Sequence, residues 1–169
     1  MDAQEFDAFY TASFARVVGQ VHAMIGDRDE AQECVQEAFV RAWSHRSRLD
    51  REHHPEAWVR TTAYRLAVSR WRRMVRSRGA PDRALQDSHS PPPPDPDRVA
   101  LVAALRRLPE EQRRAIVLHH LADLPVAQVA AETGAPVGTV KARLSRGRAA
   151  LAELLGEQQD ELTEGAGHA

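Results

Sequence analysis

The residues best suited to chemistry in this chain are cations, and they come in groups. Lys141, Arg143, Arg146 and Arg148 fall on or beside one face of a segment whose other stripe is Val137, Val140, Leu144 and Leu151. Just upstream, Val126, Val129 and Ala130 recur at helical spacing, and Thr133-Gly134-Ala135-Pro136 interrupts them. Glycine takes the left-handed conformation at a helix end, and proline suits the first turn of the next helix. A short helix, a glycine turn and a basic helix outline a helix-turn-helix, whose second helix enters the major groove of DNA. The same residues also suit an ordinary helical hairpin with a solvated basic face.

A second group is Arg60, Arg65, Arg70, Arg72, Arg73, Arg76 and Arg78, with Tyr64 and Trp71 interleaved. Arg65, Arg72 and Arg76 stand at i, i+7 and i+11 and so share a face. Basic side chains neutralise phosphates, and aromatic rings stack on bases that have left the duplex. Tyr64 and Trp58 fit a hydrophobic core equally well, and for Trp58, beside Val59, core is the better reading.

Other chemistries lack their residues. His53-His54 and His119-His120 are adjacent pairs, and neighbours on a helix point about 100° apart, which makes poor chelating pairs. No HExxH, paired CxxC, phosphate-binding Walker loop or nucleophile elbow occurs. No catalytic residue, metal or cofactor is therefore expected, and a nucleic-acid enzyme is the weakest reading. The single Cys34 lies on an apolar face, where core is its expected place, and it has no internal disulfide partner.

Charge is distributed unevenly. The net charge of -1 hides eight acids against two arginines in residues 1–40, and twelve arginines against four acids in 41–83. Residues 125–150 carry four bases and one acid, whereas 151–169 carry five acids and no base. Two basic zones flanked by acidic ones suit a polyanion on one surface and a protein on another. No apolar run nears the roughly 18 residues of a membrane span, and MDAQEFDAFY is acidic rather than signal-like. A soluble, cytoplasmic protein is expected.

Helices must position these groups. Phe6, Phe9, Tyr10, Phe14, Val17, Val18, Val21 and Ile25 predict an amphipathic helix ending near Gly26. Asp27, with Glu30 three residues on, is a capping-box start for a helix reaching about Trp43. Its inward residues are Ala31, Cys34, Val35, Ala38, Phe39 and Ala42, which leaves Glu33, Gln36, Glu37 and Arg41 outside. The pattern dissolves from Ser44 to His54, and Pro55 restarts a helix that buries Ala57, Trp58, Val59, Ala63, Leu66 and Ala67.

Residues 79–96, with four consecutive prolines, read as a flexible, Pro-rich linker. At about 3.1 Å per residue it reaches about 56 Å, against roughly 34 Å for one turn of DNA. Asp97 is expected to cap a helix to Leu108, and Pro109-Glu110-Glu111 to open another to Leu121. The acidic tail 156–169 is expected to be disordered. The fold class is all-α: helical domains over 1–78 and 97–155, joined by the 79–96 linker.

Residues 5–155 resemble a bacterial RNA polymerase sigma factor of the extracytoplasmic-function type. The C-terminal likeness is the more specific. LRRLPEEQRRAIVLHHLADLPVAQVAAETGAPVGTVKARLSRGRAAL is similar to that family's region 4, with PVGTVKARL at the right distance from LPEEQR. GDRDEAQECVQEAFVRAW resembles region 2.2, and AWVRTTAYRLAVSRWRR resembles regions 2.3 to 2.4.

The resemblance implies roles that spacing does not. Region 2 would dock on the clamp helices of the polymerase β′ subunit through Glu33, Gln36, Glu37 and Arg41, with the β flap as a further polymerase contact. It would melt the minus-10 element and capture a flipped base in the loop Arg46 to His54, with Arg46, Arg48, Arg60, Tyr64, Arg65, Arg72 and Arg73 gripping DNA. Leaving the stack costs a few kcal/mol, so a pocket and a basic grip are the physical requirement. Region 4 would read the minus-35 element through Thr139, Lys141, Arg143 and Arg146. An anti-sigma factor is an implied partner.

Three departures stand out. Arg65 and Ser69 replace the family's usual Asn and Asp, Ala142 replaces a Ser, and Gln32-Glu33-Cys34 replaces Glu-Asp-Leu. Minus-10 preference therefore does not carry over from the family. The competing reading is a stand-alone helix-turn-helix regulator. It explains the C-terminal half but gives the acidic helix and the basic N-terminal half no task.

Overall fold

The computed structural model describes residues 1–49, 54–78 and 95–166, all in helices or short connections between them. They form two compact units, one ending with the long basic helix of the N-terminal half and the other holding the helix-turn-helix. The expected linker lies almost wholly outside the described residues, as does 50–53 of the expected base-capturing loop.

The first unit contains α1 (Ala3–Ile25), α2 (Arg28–Ser44), α3 (Arg46–Leu49) and α4 (Pro55–Arg78). A reciprocal capping box between Asp2 and Glu5 starts α1, and Gly26 ends it with φ 80°, a backbone state that costs glycine little. Asp27 caps α2 as expected, accepting from the Glu30 N–H at 3.0 Å. α1, α2 and α4 pack against one another. Their core is Val17, Val18, Val21, Ala31, Cys34, Val35, Ala38, Phe39, Ala42, Val59, Ala63 and Ala67, with Phe6 at one end. Trp58 packs partly buried against it. The irregular stretch after Ser44 contains α3, whose Leu49 is buried and secures the short helix to the core.

The second unit contains α5 (Pro96–Arg107), α6 (Glu110–Ile116) continuing as a π-helical turn (Val117–Leu121), α7 (Val126–Thr133) and α8 (Val137–Ala166). The cap of α5 is Asp95, whose side chain accepts from the Asp97 N–H at 3.0 Å. Asp97 was the expected cap. Pro96 explains the difference, because it sits in the first turn, where its missing N–H costs nothing. At the other end of the chain, α8 runs on through Gly156 to Ala166, where a disordered tail was expected. One glycine costs a helix about 1 kcal/mol, too little by itself to end a helix that has already run from Val137 to Leu155.

The helix-turn-helix forms as its sequence predicts. Gly134 closes α7 at φ 68°, and Thr133 Oγ1 donates to Val129 O at 2.7 Å. α8 packs on α5, α6 and α7, burying Val140 and Leu144. Gly147 lets it come close: a Cβ there would lie 2.9 Å from Cγ1 of Ile116 on α6.

Candidate nucleic-acid interface

On α8, Thr139, Lys141 and Arg146 are exposed, while Arg143 is partly buried. Thr139 and Lys141 stand in the first two turns, the part of a recognition helix that reaches base edges. Arg143 is drawn sideways, its Nη2 donating to Glu111 Oε2 of α6 at 2.7 Å. Around this pair, Pro109, Gly138, Thr139, Ala142 and Arg146 line a groove of about 470 Å³. The π-turn behind α6 is fixed by His119, whose Nδ1 lies 2.7 Å from Leu124 O, and Arg114 donates to Glu132 O on α7 at 3.2 Å. The second of these bonds ties α6 to the end of α7.

In the first unit the structure divides the expected DNA contacts. Arg48, Arg65, Arg72 and Arg73 are exposed. Arg46 is half-buried, its guanidinium 4.3 Å from the centre of the Trp43 ring and its Nη1 donating to Trp43 O at 3.0 Å. Arg60 and Tyr64 are buried instead. Arg60 is 2% exposed and donates from Nη1 to Gln20 Oε1 at 3.0 Å, with Glu56 3.7 Å away. It ties α4 to α1. Tyr64 is 7% exposed, so its ring offers no free face on which a base could stack. The sequence carried the signal. Arg60, Ala63, Tyr64 and Ala67 stand at i, i+3, i+4 and i+7, the buried stripe of α4, whereas Arg65 and Arg72 lie off it.

The outer face of α2 carries Glu33, Gln36, Glu37 and Arg41, as expected. Sequence reading missed three further members of this surface. Val40 and Trp43 are exposed beside it, continuing the spacing of Gln36 by four and seven residues. Arg70 reaches over from α4 and donates to Glu37 at 2.7 Å, Glu30 at 3.2 Å and Glu33 at 3.3 Å. Hydrogen bonds from Arg41 and then Arg70 hold the Glu37 carboxyl below its ordinary range. Beneath them Cys34 is buried and donates to Glu30, and its thiol is pushed up to about 12, which makes it an inert core residue.

A two-unit, all-helical chain with a basic recognition helix in one unit and paired acidic and basic helices in the other has the organisation of a sigma-70-type transcription factor. Residues 9–77 match sigma-70 region 2, and residues 98–151 match sigma-70 region 4. The extracytoplasmic-function sigma factor SigK of Mycolicibacterium vanbaalenii is 30% identical over 164 residues, covering 92% of this chain and 84% of its own. SigL of Mycobacterium tuberculosis is 31% identical over 130 residues, 72% of each chain. The sigma factor RpoE of Bartonella quintana, solved with the anti-sigma factor NepR, superposes with a TM-score of 0.78 at 25% identity, covering 91% of this chain and 98% of its own. The chain belongs to the extracytoplasmic-function family of RNA polymerase sigma factors. It is an alternative sigma factor that binds core RNA polymerase and directs promoter-specific initiation of transcription. The stand-alone regulator finds no support among these relatives.

Proposed function

We propose that the two units divide promoter recognition between them, with the exposed residues of each doing the reading. α8 reads the minus-35 element as duplex through Thr139, Lys141, Arg143 and Arg146. Arg48, Arg65, Arg72 and Arg73 grip the minus-10 element, with Arg46 placed by the Trp43 ring. The face of α2 formed by Glu33, Gln36, Glu37 and Arg41, widened by Val40 and Trp43, docks on the β′ clamp helices, and the second unit meets the β flap. The chain supplies specificity and no catalysis, and it works in the cytoplasm, where its polymerase is. An anti-sigma factor that covers the polymerase-binding faces is its natural antagonist, as NepR is the partner of the RpoE relative.

The observation that carries this reading is the separation of cations by burial. Those on α4 that face solvent lie off the buried stripe, and the charged residue on the stripe, Arg60, is consumed by the core. Permanganate reactivity of minus-10 thymines, with nuclease protection of the minus-35 duplex, tests it in the holoenzyme on a cognate promoter. Arg65→Ala and Arg72→Ala should reduce minus-10 opening and leave minus-35 protection intact, whereas Arg146→Ala should do the reverse. Opening unaffected by both α4 changes would overturn the assignment.

A further inference from the structure

Glu111 has no part in the reading above, yet it holds one of the arginines assigned to the minus-35 element. Its side chain is 72% exposed, and that of Arg143 is 20% exposed, so the bond between them closes one wall of an open groove. The floor of that groove is small: Gly138 and Ala142 line it, and a Cβ on Gly138 would meet nothing within 4 Å. A carboxylate on a DNA-facing surface repels phosphate, so its presence asks for a reason.

The reason lies in what Arg143 has left to offer. A guanidinium carries five N–H donors in a rigid planar fork. One is given to Glu111, and among the described residues the others have no protein partner. The carboxylate cancels the net charge that would draw Arg143 to a phosphate. Hydrogen bonds to neutral acceptors do not depend on net charge in the same way, and arginine pairs through two donors with O6 and N7 of guanine. We propose that Glu111 is a positioning residue that sets specificity: it commits Arg143 to the edge of a guanine in the minus-35 duplex and denies it to the backbone. The inference rests on α8 reading that element.

The test uses the full chain assembled with core polymerase. Binding is measured over a salt series to a promoter duplex and to duplexes with single minus-35 G·C pairs replaced. Glu111→Gln removes the charge and keeps an acceptor, and Glu111→Ala removes both. Either change should steepen the slope of log K against log salt by about 0.9, one added phosphate contact. Glu111→Ala should also lower discrimination at one G·C pair by about tenfold or more. Arg143→Ala should lose discrimination at that same pair without steepening the slope. Unchanged slope and discrimination in both Glu111 variants, with Arg143→Ala still impaired, would overturn the role of Glu111 and leave the reading of α8 standing. An Arg143→Ala protein that behaves like the parent would overturn both.

Discussion

Arg60 of α4 donates from Nη1 to Oε1 of Gln20 on α1 across 3.0 Å, with both side chains buried. A buried guanidinium is costly unless it is paired, and removing it strands its partners. Arg60→Ala should therefore destabilise the first unit by about 3 kcal/mol or more, read as a lowered urea midpoint. Arg65→Ala, five residues on and exposed, should change stability by less than about 0.5 kcal/mol. Equal effects from the two would contradict the burial of Arg60.

The approach of α8 to α6 at Gly147 leaves no space for a methyl group. Gly147→Ala favours helix by about 1 kcal/mol in isolation, yet the added Cβ meets Ile116, itself buried. Overpacking of this kind costs about 1–3 kcal/mol, so the net change should be a loss of stability, with weakened minus-35 protection as α8 shifts. Thermal unfolding of the variant checks it; a raised melting temperature would contradict the close contact.

Acid should loosen the outer face of α2. The Glu37 carboxyl is held below its ordinary value of 4.5 by Arg41 first and Arg70 second. A depressed folded value stabilises the fold fully above the unfolded value and loses that contribution as pH falls through the folded one. Stability measured by urea unfolding should thus be level in this respect at neutral pH and decline below about 4.5. Glu37→Gln should decline less steeply over that acid window than the parent chain.

Val40 is 66% exposed on the face of α2 that carries Glu33, Gln36 and Glu37. Val40→Asp should leave the melting temperature almost unchanged, since nothing in the core depends on it. It should weaken competition for core polymerase by about tenfold, the cost of placing an unpaired charge within an interface. Undiminished competition would move the docking surface elsewhere.

The helices of both units were legible because their apolar residues keep a period near 3.6 and their ends carry Asp27, Gly134 and Pro136, residues with a local reason to start or stop a helix. The helix-turn-helix was legible for the same reason. The burial of Arg60 and Tyr64 was not legible from counting cations, because charge and aromaticity say what a side chain can do and only its helical phase says where it points. The Glu111–Arg143 and Arg70–Glu37 pairs were not legible, since each joins residues more than thirty positions apart on different helices. No local pattern encodes such a distance. Gly156 reads as the start of a tail because glycine favours helix ends, whereas α8 continues through it.

On this reading the chain programs core RNA polymerase through two DNA-reading units. Run-off transcription with purified bacterial core polymerase and a genomic promoter library, with and without the chain, tests it most directly. Discrete new transcripts that disappear with Arg143→Ala and Arg146→Ala together are the predicted result. Tight duplex binding by the chain alone, with no binding to core and no new transcripts, would contradict it.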